Sequence, residues 1–219
     1  MTGKAGWSYA LIRDINSPAN HIIRSELAVV IRDKYPKARH HFLVLPWANI
    51  DNVYEFSSLL QLIPVHIPLL KEMFQLAKQA IELNRCHQKE FAMGFHMRPS
   101  MHRLHLHVIS KDFVSARLKT VKHWNIFRTD LFMPFESVLL ELQERGHIKH
   151  RPEAYINSLM DARLECNQCD RQFDTLPALK EHLLDHLNSA GGEPITDTRR
   201  QPGTARANRW NTNKDSQAG

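Results

Sequence analysis

Apolar and polar residues alternate along several short segments of the chain, and alternation with a period of two is typical of strands. The segment RLHLHVIS, residues 103–110, alternates aliphatic residues with one arginine and two histidines. We predict further strands in FAMGFHM, residues 91–97, and in HFLVLPW, residues 41–47. The segment HIIRSELAVVIRD, residues 21–33, predicts two short strands with a turn between them.

Helical periodicity appears between and after these strands. It predicts a short amphipathic helix in residues 7–16, a longer one from Pro68 to about Arg85, and another from Pro134 to Gly146. Proline near the start and glycine just past the end are typical of helix boundaries. Strands and helices do not alternate regularly, so the pattern predicts an α+β fold with an antiparallel sheet and flanking helices.

Size and composition indicate one sizeable domain with a small module. The chain has 219 residues, and 42% of them are hydrophobic. We find no apolar run long enough for a membrane span and no secretory leader, so we expect no membrane association. Residues 189–219 are rich in Gly, Pro, Asn and Arg and nearly free of aliphatic residues, which predicts a disordered tail.

Charge and cysteine content narrow the partners and the compartment. Lys and Arg number 29 against 23 Asp and Glu, which favours a polyanionic partner such as nucleic acid. The three cysteines, Cys86, Cys166 and Cys169, are too few for a disulfide framework. A reducing compartment, the cytosol or the nucleus, is therefore expected.

The segment CNQCDRQFDTLPALKEHLLDH, residues 166–186, has the spacing of a Cys2His2 zinc finger. A tight turn brings its two cysteines together, and its two histidines lie one helical turn apart. Phe173, Leu179 and Leu183 fall where such a finger needs a small apolar core. Chance spacing on an ordinary helix is the alternative, and the coincidence of ligands and core disfavours it. The predicted zinc ligands are Cys166, Cys169, His182 and His186.

The histidines of RLHLHVIS allow three interpretations. They could be satisfied polar residues on a partly exposed strand face. They could chelate a metal ion, because alternate residues of a strand share a face. They could also provide nucleophilic catalysis, because neutral imidazole is available at physiological pH and can attack phosphorus. The spacing alone leaves all three open.

Longer segments resemble a known family. RLHLHVIS resembles the histidine-triad motif of nucleotide hydrolases and transferases, and DKYPKARHHFLVLPW, GFHMRPSMHRLHLHVISKDF and LKTVKHWNIF are similar to segments of aprataxins. The resemblance implies a histidine-triad fold and a short, fungal-type member without the N-terminal phosphopeptide-binding domain of animal aprataxins. We expect an N-terminal helix in 1–18, the catalytic domain in 19–150, the finger in 151–188 and the tail in 189–219.

The resemblance also implies roles for individual residues. His105, in the middle of the triad, matches the family's nucleophile, with His107 and His96 as its catalytic partners. The first triad position departs from the family because it holds Arg103, which could supply positive charge. Ser100 matches a phosphate ligand and Asp33 a ribose ligand; for His41 a core role is the alternative. The implied nucleotide- and phosphate-binding residues are Asp33, Ser100, Lys37, His41 and Arg103.

DNA contacts are implied on the same grounds. An aromatic residue on the first helix acts as a wedge at the DNA end in this family, and Trp7 occupies that helix, with core packing as the alternative. Basic loops beside the site predict a phosphate track, although an ordinary surface charge is the default for each residue. The predicted DNA-binding residues are Trp7, Arg39, Lys119, Lys122 and His123.

The function implied by the resemblance is DNA repair. The chain is expected to be a phosphoanhydride hydrolase that removes AMP from 5′-adenylated DNA ends through a covalent histidine–AMP intermediate. We expect one structural zinc, no organic cofactor, damaged DNA as partner, AMP as product and a nuclear location, with the cytoplasm as a second location. A zinc-finger DNA-binding protein with a degraded triad and a general nucleoside-phosphate hydrolase are the alternatives.

Overall fold

The computed structural model describes residues 10–99 and 101–189. Its main sheet has six strands: β1 His21–Arg24, β2 Ala28–Arg32, β3 His41–Pro46, β4 Phe91–His96, β5 Leu106–Ser110 and β6 Phe132–Pro134. They lie in the order β1-β2-β3-β5-β4-β6, and each neighbouring pair is antiparallel. Strand β5, which contains the C-terminal part of the triad motif RLHLHVIS, therefore lies inside the sheet, between β3 and β4.

The α-helices of the described residues are α1 Ala10–Ile15, α2 Ile67–Leu83, α3 Val121–Arg128, α4 Phe135–Arg145, α5 Glu153–Met160 and α6 Leu176–Ser189. Pro68 lies in the first turn of α2, where the missing N–H costs nothing. Gly146 ends α4 with φ of 74°, a left-handed conformation that glycine adopts without strain. Short 3-10 helices, Ile50–Glu55, Leu59–Gln61 and Pro64–His66, connect β3 to α2.

The longest helix, α2, covers one face of the sheet. Its apolar residues recur three or four positions apart and are buried, among them Leu69, Met73 and Leu76. They join one core with strand residues such as Val30 and Val44. On this face of the sheet, the strands therefore bury alternate apolar residues against α2, as the sequence pattern predicts.

The opposite face of the sheet is covered in two parts. Leu11 and Ile15 of α1 pack on β2 and β3. Farther along, Trp124 of α3 is fully buried in a core that also contains Ile109 of β5 and Leu179 of α6. Because both faces are covered, β5 is buried along its whole length.

The C-terminal module is a two-stranded hairpin followed by α6. Its strands are β7 Leu164–Glu165 and β8 Gln172–Phe173. The indole Nε1 of Trp124 donates a hydrogen bond to the carbonyl of Glu165 at 3.1 Å. The side-chain amide of Asn125 donates to the carbonyls of Met160 and Ala162, each at 2.9 Å. Helix α3 therefore joins this module to the sheet.

Most predicted elements are confirmed. The strands before and after Ser25, the strand from His41, and the helices at 67–83 and 135–145 lie where the pattern places them. The α+β class with an antiparallel sheet is confirmed as well. Helix α3 and strand β6 are additions, and Ser189, assigned to the tail, belongs to α6.

Two predictions about RLHLHVIS are wrong. The strand begins at Leu106, because Arg103 has φ of 77°, which no strand residue adopts. The interpretation as a partly exposed face also fails, since Arg103, His105 and His107 are only 8%, 5% and 3% exposed.

Some predictions fall on residues outside the described ranges. These are the N-terminal part of the first helix with Trp7, the phosphate ligand Ser100, and the tail from residue 190 onward. In residues 10–99 and 101–189, no helix has the length and apolar character needed to cross a membrane.

Candidate active site

Four histidines from different parts of the sheet form one cluster: His96, His105 and His107 surround one point, and His41 is hydrogen-bonded to His107. His107 lies in β5, opposite Leu43 of β3 and Gly94 of β4. His41 begins β3, His96 ends β4, and His105 directly precedes β5. The antiparallel register sets side chains of adjacent strands next to each other on one face, so residues far apart in the sequence become neighbours.

A glycine lets the sheet close tightly beside these histidines. A Cβ at Gly94 would lie 2.3 Å from the carbonyl oxygen of Met133 and 2.8 Å from the ring of Phe132. Because glycine has no Cβ, β6 approaches β4 closely here. The ring of Phe132 then lies 5.9 Å from that of His96, measured between centroids.

His105 is held in a defined tautomer. Its Nδ1 lies 2.8 Å from the carbonyl oxygen of Arg103. A carbonyl can only accept a hydrogen bond, so Nδ1 carries the proton and donates it. In the neutral imidazole the lone pair is therefore on Nε2, which is the atom required of a nucleophile or a metal ligand.

His107 is held by a chain of polar groups. Its Nδ1 lies 2.9 Å from Nε2 of His41, and Nδ1 of His41 lies 3.2 Å from the backbone N–H of Lys37. That amide can only donate, so His41 carries its proton on Nε2 and donates to His107. His107 then has its own proton on Nε2. The carboxylate of Asp33, 3.3 Å from Nδ1 of His41, would accept a second proton from that imidazole.

Two buried ring nitrogens in the histidine cluster are available to a ligand. Nε2 of His96 and Nε2 of His107 are buried and have no hydrogen-bond partner in the described residues. One nitrogen each from His96, His105 and His107 lies within 4.8 Å of the others. Burying a polar atom without a hydrogen-bond partner costs free energy, so these nitrogens are suited to bind a ligand such as a phosphate group or a metal ion.

Burial keeps the cluster uncharged. It is the largest cause of the lowered pKa values at His41, His96, His105 and His107. The pKa of His41 falls to about 4, although the Asp33 carboxylate opposes the shift. The pKa values of His96 and His107 lie well below the usual range, because neighbouring imidazoles add to the effect of burial. All four side chains are therefore neutral near pH 7.

Phe127 of α3 is a site residue that the sequence analysis did not identify. Its ring stands edge-on to the rings of His41, His96 and His107, with centroids 5.6, 4.6 and 5.4 Å apart. It thus closes the apolar wall behind the histidines. The segment KHWNIF that contains it was already part of the resemblance, but helix α3 was not predicted.

The predicted phosphate- and ribose-binding residues lie on two sides of the cluster. On one side, Asp33 borders a cleft of about 550 Å³ between α1 and strands β1 and β2. Lys37 is next to His41, and burial, opposed by Asp33, lowers its pKa. On the other side, Arg103 lines a separate narrow cleft together with His96 and His105.

The predicted DNA-binding residues are spread over the surface around the site. Lys119 and Lys122 are exposed at the start of α3, where Thr120 caps the helix. The pKa of His123 is lowered by burial and by the charges of Lys37 and Lys119, so this end of α3 lies within electrostatic reach of the site. Arg39 is exposed on the far side of His40, and its backbone N–H bonds to Asp112.

The finger brings its four predicted ligands together. Sγ of Cys169 lies 3.2 Å from Nε2 of His182, and Sγ of Cys166 lies 3.5 Å from Nε2 of His186. All four ligand atoms lie within 4.8 Å of one another, and two thiols with two imidazoles are the donor set of structural zinc. Leu179 and Leu183 are buried, as predicted for the finger's core.

Comparisons with known proteins agree with both regions. Residues 6–123 match the family described as "Scavenger mRNA decapping enzyme C-term binding", and residues 128–189 match the "C2HE / C2H2 / C2HC zinc-binding finger". An aprataxin-like protein of Drosophila melanogaster is 48% identical over 83% of this chain and 26% of its own length. An aprataxin-like protein of Saccharomyces cerevisiae is 32% identical over 84% of this chain and 97% of its own length.

A solved structure has the same fold. The aprataxin ortholog Hnt3, crystallised in complex with DNA, superposes with a TM-score of 0.66 at 23% identity, over 85% of this chain and 94% of that chain. The chain spans only 26% to 55% of the length of three animal relatives, from Drosophila melanogaster, Danio rerio and Gallus gallus.

The sheet, the buried histidine cluster and the appended finger define a histidine-triad protein with a C-terminal zinc-binding finger. The predicted fold class is thereby confirmed. Because the yeast relative is matched over nearly its whole length, the chain belongs to the aprataxin family.

Proposed function

We propose that this chain removes AMP from 5′-adenylated DNA ends, with His105 as the nucleophile. One observation carries the proposal: Nδ1–H of His105 donates a hydrogen bond to the Arg103 carbonyl, so the lone pair is on Nε2, beside the unpartnered nitrogens of His96 and His107. A nucleophile and two polar groups around one point can receive a tetrahedral phosphate.

The reaction proceeds in two displacements. Nε2 of His105 attacks the adenylate phosphorus and forms a P–N bond, while the P–O bond to the DNA 5′-phosphate breaks and the leaving oxygen takes the electron pair. Water then attacks the same phosphorus and forms a P–O bond, the P–N bond breaks and its electron pair returns to Nε2 of His105, one proton of the water passes to the solvent, and AMP leaves. His107 donates its Nε2 proton to a phosphate oxygen, and His96 stabilises charge or protonates the leaving group.

The nucleoside of the substrate is assigned to the cleft beside Asp33. This cleft is bordered by Ile22, Ile31 and Asp33, so it offers both an apolar surface and a carboxylate. Carboxylate oxygens accept hydrogen bonds from the two ribose hydroxyls. His41 connects Asp33 to His107, so His41 positions a catalytic imidazole in addition to packing in the core.

DNA binding is proposed for the basic surface around the start of α3. Lys119 and Lys122 are exposed there, and His123 lies near Lys37 of the site. Exposed lysines on a surface beside a phosphoryl centre can bind successive phosphates of a strand, so binding should weaken steeply with salt. The complex of the aprataxin ortholog Hnt3 with DNA supports DNA as the partner.

The finger is proposed to hold one structural zinc per chain and to add to the DNA surface. No organic cofactor is needed, because imidazole supplies the nucleophile. A nuclear location is proposed from the substrate alone.

The test is turnover of a nicked duplex with a 5′-adenylated end by wild type and by His105→Ala. We expect the variant to lose about 10⁴-fold or more in turnover and to form no covalent adenylate. His147→Ala is a matched control: this exposed histidine also has its Nδ1 near the carbonyl two residues earlier, 2.9 Å from that of Arg145. It should retain full activity.

Two results would favour the alternatives. DNA binding without any turnover or adenylate would indicate a DNA-binding protein with a degraded triad. Equal kcat/KM values for adenylated DNA and for a free dinucleotide would indicate a general nucleoside-phosphate hydrolase.

A further inference from the structure

Arg103 is a buried cation without an anionic partner. Arg103 is only 8% exposed, and its buried Nε has no hydrogen-bond partner in the described residues. Among residues 10–99 and 101–189 no carboxylate forms an ion pair with it. Its guanidinium lies 3.7 Å from the centroid of the Tyr54 ring, a contact that orients the group but does not neutralise it.

Such an arrangement is costly unless an anion completes it. Buried charges in proteins are normally paired, because desolvation of an isolated ion costs more than neighbouring dipoles return. Burial lowers the pKa of Arg103, and Tyr54 and Glu55 only partly oppose that shift, Glu55 from beyond ion-pair distance. Arginine also matches phosphate geometry, with donors on a rigid planar fork.

The location of Arg103 indicates which anion it can pair with. It lines a narrow cleft of about 10 Å³, enough for about one water molecule, together with His96, His105 and Ser57. Neither Asp33 nor His107 borders this cleft, whereas Asp33 borders the larger cleft proposed for the nucleoside. The histidine cluster therefore has a nucleoside side and an opposite side, and Arg103 is on the opposite side.

We propose that Arg103 binds the phosphate of the leaving group, the second phosphate of a substrate with a phosphoanhydride, at the opening of the cleft that it lines with His96 and His105. This inference rests on the proposed function and adds to it the residue that binds the leaving phosphate. Charge develops on this phosphate when the P–O bond breaks, so a cation fixed beside it stabilises the transition state more than the ground state. Arg103 would thus favour diphosphate substrates over substrates with a single phosphate.

The test compares Arg103→Met with wild type on three adenylated substrates. Adenylated DNA and a diadenosine diphosphate both have a leaving phosphate, whereas adenosine 5′-phosphoramidate loses ammonia and has none. We expect kcat/KM to fall about 10- to 100-fold for both diphosphates and to stay within about threefold for the phosphoramidate. Arg103→Lys should recover part of the loss.

Other outcomes would overturn the inference. An equal loss on all three substrates would mean that Arg103 acts by positioning His105 through its backbone. A loss on DNA alone would mean that it contacts the DNA strand, and no loss would mean that it is structural.

Two further controls keep the result interpretable. Arg98→Met removes an exposed arginine of the same connection, which pairs with Glu153, and should leave all three rates unchanged. If Arg103→Met does not fold, inhibition of wild type decides the matter, because pyrophosphate should compete more tightly than orthophosphate, and equal inhibition would contradict the inference. If wild type cleaves none of the substrates, the proposed function itself fails.

Discussion

The triad site and the zinc finger both gather histidines within a few ångströms, but they do so in opposite ways. The finger takes its four ligands from 21 consecutive residues, Cys166 to His186. The triad site takes His41, His96 and His107 from three adjacent strands and orients them through hydrogen bonds and burial. We therefore expect the finger to need a bound ion to hold its ligands together, whereas the sheet preorganises the triad site.

The largest expected effect comes from removing a zinc ligand. Cys166→Ser should abolish zinc binding and unfold the finger, because metal binding in such modules is worth about 10 kcal/mol of folding free energy. Zinc content measured by atomic absorption should fall from one ion per chain to none, and proteolysis should cut within residues 164–189. Turnover of adenosine 5′-phosphoramidate should remain, because the triad is built without the finger's ligands.

The matched control for zinc is His107→Ala. It should keep one ion per chain, and a loss of zinc in this variant would show that the triad histidines bind metal, which the distances among their nitrogens allow.

The second-largest expected effect is a loss of folding stability at acidic pH. In the folded chain the pKa of His41 is about 4, whereas an unfolded histidine titrates near about 6.5. The unfolded state therefore takes up the proton first as the pH falls, so stability is complete above about pH 6.5 and decreases towards pH 4. This histidine alone should account for about 3 kcal/mol. Urea unfolding at several pH values should show a shallower acid loss in His41→Gln than in wild type.

The comparison with His41→Gln removes the finger's own acid sensitivity, since both proteins carry the same zinc ligands. Parallel curves for the two proteins would contradict the assignment of a buried neutral imidazole at this position.

The third effect tests how tightly the sheet is built around the triad. Gly94→Ala places a methyl group against the Met133 carbonyl, so β4 and β6 must separate beside His96. We expect a loss of about 2 kcal/mol in the free energy of unfolding, with lower turnover and unchanged zinc content. Gly146→Ala is the comparison: its strain comes from φ of 74°, costs about 1 kcal/mol and should not affect turnover.

The smallest expected effect concerns the interface between the zinc finger and helix α3. Trp124→Phe removes the hydrogen bond from the indole to the Glu165 carbonyl and should cost about 1 kcal/mol. Proteolysis of the finger should become faster while turnover of the phosphoramidate stays the same. If both change together, the finger and the triad site are one cooperative unit and the contrast between them is wrong.

The zinc finger and the triad site differ in how much of their structure could be predicted from the sequence. The finger's ligands follow from spacing alone, and the structure brings all four together. The triad histidines could be singled out from RLHLHVIS, but their burial, the tautomer of His105 and the partner of His107 could not. Those depend on contacts between residues up to 66 positions apart, such as His41 with His107. The catalytic and binding roles of the individual residues stay predictions.

By itself, the sequence predicted the α+β class, the zinc ligands and the family to which the chain belongs, because periodicity, ligand spacing and short motifs can each be read along the chain. Only the tertiary structure decided that Arg103 leaves the strand and stacks on Tyr54, and that Phe127 closes the site. The physical reason is that strand register, backbone conformation and desolvation arise from packing between distant segments, and no local pattern of residue types records them.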